Sequence, residues 1–367
     1  MSKPNRVLQV VTHMNRGGLE TMLMNYYRNI DRNEVQFDFL THRPEDGDYG
    51  NEIKQLGGKI YHLPRLNPWS PAYHKALSNF FDEHPEYKVI HVHQDCMSGI
   101  ILKEAKLHGI PVRIAHSHNS NQDKNIKYPI KLFYKRKIIE YATQLFSCGQ
   151  QAGIWMFGGA PFQILNNAID AQKYAYNNEV RTQIRRHFNI KNDELLVGHV
   201  GRFSKPKNHE FLIDIFQKVQ EKNPAKLLLV GNGTLYGKIQ DKVSRLGLND
   251  KVIFAGLRSD VPDLLQAMDV FLFPSLYEGL PMVLVEAQAA GLPCVISDSI
   301  PNDCDLTKLI KRISLKTESD EWANLLLDFQ KRIIRYNTYQ DIVSAGFDIS
   351  ENAKKLQAFY LKCYSSC

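Results

Sequence analysis

The sequence has few of the features that mark secreted, membrane-spanning or metal-bound proteins. Its six cysteines are scattered over 367 residues, without a C-x-x-C pair or the spacing of metal ligands, so reduced thiols are expected. No apolar run approaches the length of a membrane-spanning helix, and the run in MSKPNRVLQVV is too short for the core of a signal peptide. We therefore expect a cytoplasmic protein.

The sequence also lacks internal repeats, low-complexity tracts and a large excess of one charge. Its 43% of hydrophobic and 23% of charged residues are typical of folded globular proteins. The net charge of +7 suits anionic partners such as nucleotide diphosphates or a membrane surface, but selects neither, and we expect no nucleic-acid partner. The length allows two domains of ordinary size.

Short apolar runs alternate with helical patterns along most of the chain. In the first half, the runs that predict strands are Val7–Val11, Val35–Leu40, Lys59–Leu63, Lys88–Val92 and Val112–Ala115. In the second half they are Leu195–Val200, Lys226–Val230, Lys251–Phe254, Val270–Phe273 and Pro293–Ile296. This alternation predicts parallel strands joined by right-handed crossovers. A polar segment at 166–194 separates the series, so we expect two Rossmann-like domains joined at its start.

The stretch Pro274–Gly291 holds the most informative pair of residues. Glu278 follows the predicted strand Val270–Phe273, and Glu286 comes eight positions later on a predicted helix. Ligands of open α/β sheets bind at the carboxyl ends of the strands, where helix amides favour an anion. Two carboxylates beside an anion site suit the hydroxyls of a sugar attached to a phosphate. Taken alone, such a pair also fits a solvated helix surface.

Two further loops follow the first predicted strand of each domain. Arg202 and Lys207 lie in GRFSKPKN, where a guanidinium fork and an ammonium group can hold a diphosphate leaving group. Gly17 and Gly18 lie in RGGLE, where glycines let a ligand approach the backbone closely. The alternatives are a solvated basic turn and a simple tight connection.

These segments together resemble motifs of the retaining family 4 glycosyltransferases with the GT-B fold. EGLPMVLVE matches E-x7-E, GRFSKPKN matches G-R-x-x-x-x-K-[GN], and RGGLE matches G-G-x-E. NAID, at 167–170, stands where the family usually has N-G-V-D. The resemblance covers about residues 1–300 and implies an α/β fold of two Rossmann-like, doubly wound domains that face each other across a cleft. Residues 1–165 and a C-terminal helix at about 350–367 would form the acceptor-side domain, and residues 166–349 the donor-binding domain.

The resemblance also implies a role for a histidine after the strand at Val112. HSHN, at 116–119, stands where the family usually has T-x-H-D, which puts His118 on the family's histidine. In this role His118 would support the transferred sugar. A loop histidine with structural hydrogen bonds is the alternative. A metal site with the nearby His91 and His93 is disfavoured by the i, i+2 spacing and by the lack of carboxylates.

The remaining roles follow from the matched motifs. Glu278, beside Gly279 and Leu280, would hold hydroxyls of the sugar, and Glu286 the donor's ribose. Arg202 and Lys207 would hold the diphosphate, with Gly17 and Gly18 above it. Near the nucleotide would lie Gly231 of the GNG turn, with Gly256 and Arg258 at the base.

The resemblance implies no metal or other cofactor, because Arg202, Lys207 and helix amides replace the cation. The D-x-D spelled by Asp303 and Asp305 follows a strand late in the second domain, so we treat it as a coincidence.

The segment 124–141 predicts a basic amphipathic helix. Six cations fall between 124 and 137, with no acidic residue among them. The apolar positions Ile130, Phe133, Tyr134, Ile138 and Tyr141 share one face. Such a helix suits the inner face of a membrane, but it equally suits an ordinary domain helix with its lysines in water.

The sequence thus predicts a retaining, metal-independent glycosyltransferase that moves a sugar from a nucleotide sugar, expected to be a UDP-sugar, to a hydroxyl acceptor. The resemblance suggests a lipid-linked or growing glycan acceptor in bacterial surface polysaccharide synthesis. A nucleotide-sugar 2-epimerase and a non-catalytic nucleotide-sugar-binding protein are the alternatives. A nicotinamide dehydrogenase is disfavoured because the dinucleotide fingerprint is missing.

Overall fold

A computed structural model describes residues 3–119, 128–332 and 334–367. The chain divides into two compact units. Unit 1 comprises Met1–Ala168 and Asp348–Cys367, and unit 2 comprises Ile169–Phe347. The limits expected from the sequence differ from these by a few residues.

Unit 1 is built on a seven-stranded parallel sheet in the order β3-β2-β1-β4-β5-β6-β7. Its strands are β1 Asn5–Val10, β2 Val35–Thr41, β3 Ile60–His62, β4 Val89–Val92, β5 Val112–Ser117, β6 Gln144–Ser147 and β7 Gln163–Ile164. Its helices are α1 Gly18–Asn29, α2 Gly50–Gln55, α3 Pro71–Glu83, α4 Ser98–Leu107, α5 Tyr128–Tyr141, α6 Gln150–Phe157 and the last helix, α15 Ile349–Ser365.

Unit 2 is built on a six-stranded parallel sheet in the order β10-β9-β8-β11-β12-β13. Its strands are β8 Leu195–Val200, β9 Ala225–Val230, β10 Val252–Gly256, β11 Val270–Phe273, β12 Cys294–Ser297 and β13 Ile310–Ile313. Its helices are α7 Ala171–Tyr174, α8 Asn178–His187, α9 His209–Lys222, α10 Tyr236–Arg245, α11 Val261–Ala267, α12 Met282–Ala289, α13 Ser319–Arg332 and α14 Tyr339–Ser344. Two Rossmann-like parallel sheets confirm the predicted fold class.

Helices cover both faces of each sheet, so the central strands are almost fully buried and mostly apolar. In β1, Val7 packs in the cluster that contains α1 and α15, whereas its neighbour Leu8 packs on the opposite face with α3 and α4. Both side chains are fully buried. The last helix is therefore part of the core of unit 1, where the ring of Tyr360 meets that of Phe37 edge-on.

The order of strands reverses at one point in each sheet, and several of the predicted site residues of each unit lie in loops at that point. In unit 1 the reversal lies between β1 and β4, and in unit 2 it lies between β8 and β11. Loops that leave the carboxyl ends of such strand pairs diverge and open a crevice. The loops that hold Gly17, Arg202 and Glu278 leave the sheets at these two points. Among the described helices, none has the length and hydropathy needed to cross a bilayer.

Candidate active site

Two of the predicted residues meet at the reversal point of unit 2. Lys207 follows β8, Glu278 follows β11, and these strands pair. The Lys207 ammonium donates a hydrogen bond of 2.7 Å to Oε1 of Glu278, and both side chains are largely shielded from solvent. The same ammonium lies 4.8 Å from the ring centroid of Phe273, which adds a cation–π contact. The pair therefore occupies a fixed position at the end of the sheet.

The loops that carry this pair are tied together by two hydrogen bonds. Asn208 adopts a left-handed conformation with φ of 53°, which ends the short 3₁₀ turn Lys205–Lys207 and starts α9. Its side-chain amide donates to the carbonyl of Pro274 at 3.1 Å. The backbone N–H of Leu276 donates to the carbonyl of Pro206 at 2.7 Å. The turn after β8 thus sets the position of the loop before α12.

Arg202 lies in the same turn but has no partner. Its side chain is exposed, and within the described residues it makes no ion pair or side-chain hydrogen bond. The backbone beside it is crowded, because a Cβ at Gly231 would lie 2.1 Å from the carbonyl oxygen of Gly201. Gly231 also has φ of +134°, in the region that favours glycine. A free guanidinium on a closely packed turn is well placed to bind an anion.

Glu286 projects from α12 towards Tyr174 of α7. Burial raises the pKa of Glu286 to about 7, and a hydrogen bond from Tyr174 opposes that rise. Burial and the nearby carboxylate in turn raise the pKa of Tyr174, so its hydroxyl stays protonated and donates. At neutral pH, Glu286 is thus close to half-ionised, and the Tyr174 hydroxyl donates a hydrogen bond to it.

The other predicted donor-binding residues of unit 2 lie at the carboxyl ends of β10 and β11 or in the loops that follow them. Leu280 is half-buried against the core, and Gly279 is exposed with open space where a side chain would start. Gly256 has φ of +67°, which turns the chain sharply after β10. Arg258 is held by Asp260 through two hydrogen bonds of 2.5 and 2.7 Å. Two nitrogens of Arg258, Nε and Nη2, are therefore occupied, whereas Nη1 makes no hydrogen bond within the described part of the chain.

In unit 1, Gly17 and Gly18 begin α1. A Cβ at Gly17 would lie 2.3 Å from Oε2 of Glu20, whereas one at Gly18 would meet nothing within 4 Å. A side chain at Gly17 would therefore displace the carboxylate end of Glu20, which folds back over the helix start. Burial raises the pKa of this carboxyl group. At Gly18, by contrast, an added side chain would displace no neighbouring atom.

His118 is one of four histidines at the ends of β4 and β5. His91, His93 and His116 are buried, and His118 is half-buried. Nδ1 of His93 lies 2.8 Å from Nε2 of His118, and the rings of His116 and His118 are 4.1 Å apart. Burial lowers the pKa of all four imidazoles, that of His118 to about 3. The cluster is therefore neutral, and His118 is its most exposed member.

Three of these histidines come close enough to be considered as metal ligands. Ring nitrogens of His91, His93 and His116 lie within 4.8 Å of one another. However, both nitrogens of His93 are already engaged, by Gln9 and by His118. Around a tetrahedral zinc ion, nitrogen–metal distances of about 2 Å would require closer nitrogens. A metal would therefore have to break existing hydrogen bonds, and the arrangement fits a hydrogen-bonded cluster better.

The D-x-D carboxylates offer no better cation site. Asp305 receives two hydrogen bonds from Arg312, at 2.6 and 3.1 Å.

The basic helix is only partly described, since Lys124, Ile126 and Lys127 lie outside the described residues. From Tyr128 onward, Ile138 is buried and Tyr134 packs against the core of unit 1. The predicted apolar face is therefore turned partly inward. Phe133 and Ile139 are 58% and 47% exposed.

Several residues that shape the site were not among those predicted from the sequence. Tyr174 at Glu286, Phe273 beneath Lys207, and Gln9 behind His93 each fix a predicted group. A signal existed for Gln9, because it is a polar residue within the apolar run of a central strand. For Tyr174 and Phe273 no signal was available, since both look like ordinary core residues.

Comparison with known proteins identifies the family of the chain. Residues 16–172 match the model of Glycosyltransferase Family 4, and residues 180–330 match that of Glycosyl transferases group 1. The chain is 37% identical to a putative glycosyltransferase, EpsF, of Bacillus subtilis (strain 168), over 98% of this chain and 97% of that protein. It is 25% identical to UDP-Gal:alpha-D-GlcNAc-diphosphoundecaprenol alpha-1,3-galactosyltransferase of Escherichia coli, over 75% of this chain and 76% of that protein.

The fold is also that of a solved structure. Anabaena Alr3699/HepE in complex with UDP-glucose superposes with a TM-score of 0.75 and 21% identity, covering 97% of this chain and 99% of the other. The chain belongs to the family 4 glycosyltransferases with the GT-B fold.

Proposed function

We propose that this glycosyltransferase moves a sugar, with retention of its anomeric configuration, from a UDP-sugar to a hydroxyl acceptor. The acceptor would be a lipid-linked or growing glycan in bacterial surface polysaccharide synthesis. One observation carries the donor assignment: Lys207 and Glu278 are paired at 2.7 Å at the reversal point of unit 2. Arg202 lies in the same turn as Lys207, is exposed, and has no side-chain partner among the described residues. The names of the galactosyltransferase and of the HepE complex support the nucleotide and the class of acceptor.

The Lys207–Glu278 pair suggests how donor binding would prepare the site. An incoming diphosphate, with its two negative charges, would compete with Glu278 for the Lys207 ammonium, and Arg202 would grip it through two nitrogens. Glu278 would then be free to accept hydrogen bonds from hydroxyls of the sugar. Binding of the phosphates and orientation of the sugar are coupled through one lysine in this proposal.

The same cations would stabilise the departure of the diphosphate. Charge that develops on the leaving group is stabilised best by groups already in place, because solvent then need not reorient. We propose front-face displacement, in which the departing phosphate takes the acceptor's proton. His118 would support the sugar as positive charge develops on it. In this mechanism Arg202 and Lys207 take the place of a metal ion.

Nucleoside diphosphate release from a panel of UDP-, GDP- and ADP-sugars tests the proposal. Lys205 provides a matched control, since it is an exposed lysine in the same turn as Lys207. We expect Lys207→Ala and Glu278→Gln to lower kcat/KM at least 100-fold, and Lys205→Ala to stay within threefold of wild type. EDTA should leave the rate unchanged.

The products distinguish the alternatives. An α-linked product from an α-linked donor, seen in the anomeric proton signal, supports retention, whereas an inverted product contradicts it. An epimerised nucleotide sugar would indicate the 2-epimerase. Donor binding without any turnover, with candidate glycan acceptors present, would indicate the binding protein.

We further propose that α5 touches the inner face of the plasma membrane. The exposed Phe133 and Ile139, with the cations at 131, 135 and 136, support this proposal, because exposed apolar groups and cations together favour an anionic bilayer.

Cosedimentation with vesicles of phosphatidylglycerol and of phosphatidylcholine measures this contact. We expect binding to the anionic vesicles alone, reduced at least fivefold by Phe133→Ser. Ile154→Ser, at an equally exposed residue of α6, should have no effect. Equal binding by Phe133→Ser and wild type would contradict the membrane proposal.

A further inference from the structure

A chain of hydrogen bonds joins the last helix of unit 1 to His118. The Tyr360 hydroxyl lies 2.7 Å from Nδ1 of His91. Nε2 of Gln9 donates a hydrogen bond of 3.3 Å to the same Tyr360 hydroxyl. Oε1 of Gln9 lies 3.0 Å from Nε2 of His93, whose Nδ1 lies 2.8 Å from Nε2 of His118. Gln9, His93 and Tyr360 are buried, so bulk solvent does not compete for these contacts.

The chemistry of each atom fixes the direction of these bonds. The amide oxygen of Gln9 can only accept, so Nε2 of His93 must carry a proton. Burial lowers the pKa of His93 well below its usual value, and a neutral imidazole has a single N–H. Nδ1 of His93 can therefore only accept, and the donor must be Nε2–H of His118. Because His118 is also neutral, its Nδ1 is left with a lone pair.

We propose that Gln9 and His93 are positioning residues that hold His118 in one tautomer, with the proton on Nε2 and the lone pair on Nδ1. The proposal rests on the proposed function and deepens it, because it states what His118 presents to the donor. A lone pair on Nδ1 accepts a hydrogen bond from a sugar hydroxyl. It also places electron density, rather than an N–H dipole, beside a sugar that becomes positively charged.

The tautomer of His118 should therefore depend on the side chain at position 9, which contacts His93. If an apolar side chain replaced Gln9, Nε2 of His93 would lose its acceptor. His93 could then move its proton to Nδ1 and donate to His118, which reverses the bond between the rings. A carboxylate in the same place can only accept, so it would keep the original direction.

Imidazole ¹⁵N shifts of the full chain, labelled in histidine, read the tautomer directly. The His118 signals are assigned by their loss in His118→Gln. We expect a pyrrole-type shift for Nε2 and a pyridine-type shift for Nδ1 of His118 in the wild type. In Gln9→Met these shifts should move towards each other, and in Gln9→Glu they should stay in place.

Gln36→Met is the matched control, because Gln36 is another buried glutamine of the same sheet and does not contact the histidines. It should leave the His118 shifts unchanged. A wild-type His118 with its proton on Nδ1 overturns the proposal. Shifts that are the same in Gln9→Met and wild type overturn the role of Gln9. If Gln9→Met does not fold, wild type and Gln9→Glu still decide the tautomer.

Turnover separates this inference from the proposed function. With a nucleotide sugar, we expect Gln9→Met to lower kcat about tenfold with little change in KM, while Gln36→Met behaves as wild type. An unchanged kcat in Gln9→Met contradicts the positioning role. If no variant and no wild-type protein turns over any nucleotide sugar, the proposed function fails, whereas the ¹⁵N result still decides the tautomer.

Discussion

Acidification should destabilise unit 1 far more than its surface charges would suggest. Four neutral histidines are packed together there: His91, His93, His116 and His118. In the folded unit their pKa values are lowered by burial, that of His118 to about 3. In the unfolded chain they regain a value of about 6.5. The unfolded state therefore binds more protons below pH 6.5, and the stability that is present above that pH is lost as the pH falls.

The size of the effect follows from proton linkage. Each such histidine lowers the free energy of unfolding by about 1.4 kcal/mol per pH unit between 6.5 and its folded pKa. From pH 7 to pH 5 the loss is about 2 kcal/mol for one histidine whose folded pKa stays below 5, and several times that for the four together. Since domains are stable by only about 5–15 kcal/mol in total, unit 1 should be close to unfolding at pH 5.

Hydrogen exchange at increasing urea concentration, followed on peptides from β4 and β5, measures this loss for unit 1 separately. His116→Leu should reduce the slope by the share of one histidine, because both of its ring nitrogens are buried without a partner. Phe146→Leu, beside His116, changes packing but not titration, so it should keep the wild-type slope. The reasoning would be refuted if the free energy of unfolding of the wild type fell by less than about 1.4 kcal/mol per pH unit, because a single such histidine already accounts for that slope.

Three further predictions concern unit 2. Gly231→Ala should raise KM for the donor at least tenfold without unfolding unit 2, because the added Cβ would lie 2.1 Å from the carbonyl oxygen of Gly201. A KM equal to that of the wild type would contradict this prediction. Arg335→Met should lower the free energy of unfolding, measured in urea, by about 3 kcal/mol, because five hydrogen bonds to carbonyls at the C-terminal ends of α11 and α12 are lost. A change below 1 kcal/mol would count against this prediction. Tyr174→Phe should raise the pKa of Glu286 above its value of about 7, because the hydrogen bond that lowers this pKa is removed. The pH below which UDP binding weakens should then rise. If the midpoint of the pH dependence of UDP binding is unchanged, Glu286 is not the ribose ligand.

Local patterns in the sequence were sufficient to predict the fold. Runs such as Val270–Phe273 are apolar throughout because helices cover both faces of the sheet, and this signal survives without tertiary information. Three strands were missed: Gln144–Ser147, Gln163–Ile164 and Ile310–Ile313. Each lies towards an edge of its sheet and is short or only partly buried, so its hydrophobic pattern is weak.

The candidate site was predictable only as far as motifs name its residues. E-x7-E and the basic turn identified Glu278 and Lys207, which lie 71 positions apart. The hydrogen bond between them depends on the pairing of β8 with β11, which neither motif indicates by itself. The support behind each group was not visible in the sequence. The contacts of Tyr174 with Glu286 and of Gln9 with His93 join distant segments, and only the folded chain brings them together.

Calorimetric titration with UDP tests the central claim most directly, because it needs neither the sugar nor the acceptor. The account predicts that Arg202→Ala and Lys207→Ala weaken binding at least tenfold each, as expected for the loss of a charge-assisted contact of about 1.5–3 kcal/mol. Lys205→Ala, in the same turn, should bind as wild type does. Equal affinity in all four proteins would show that the turn after β8 does not hold the diphosphate, and the donor site would have to lie elsewhere.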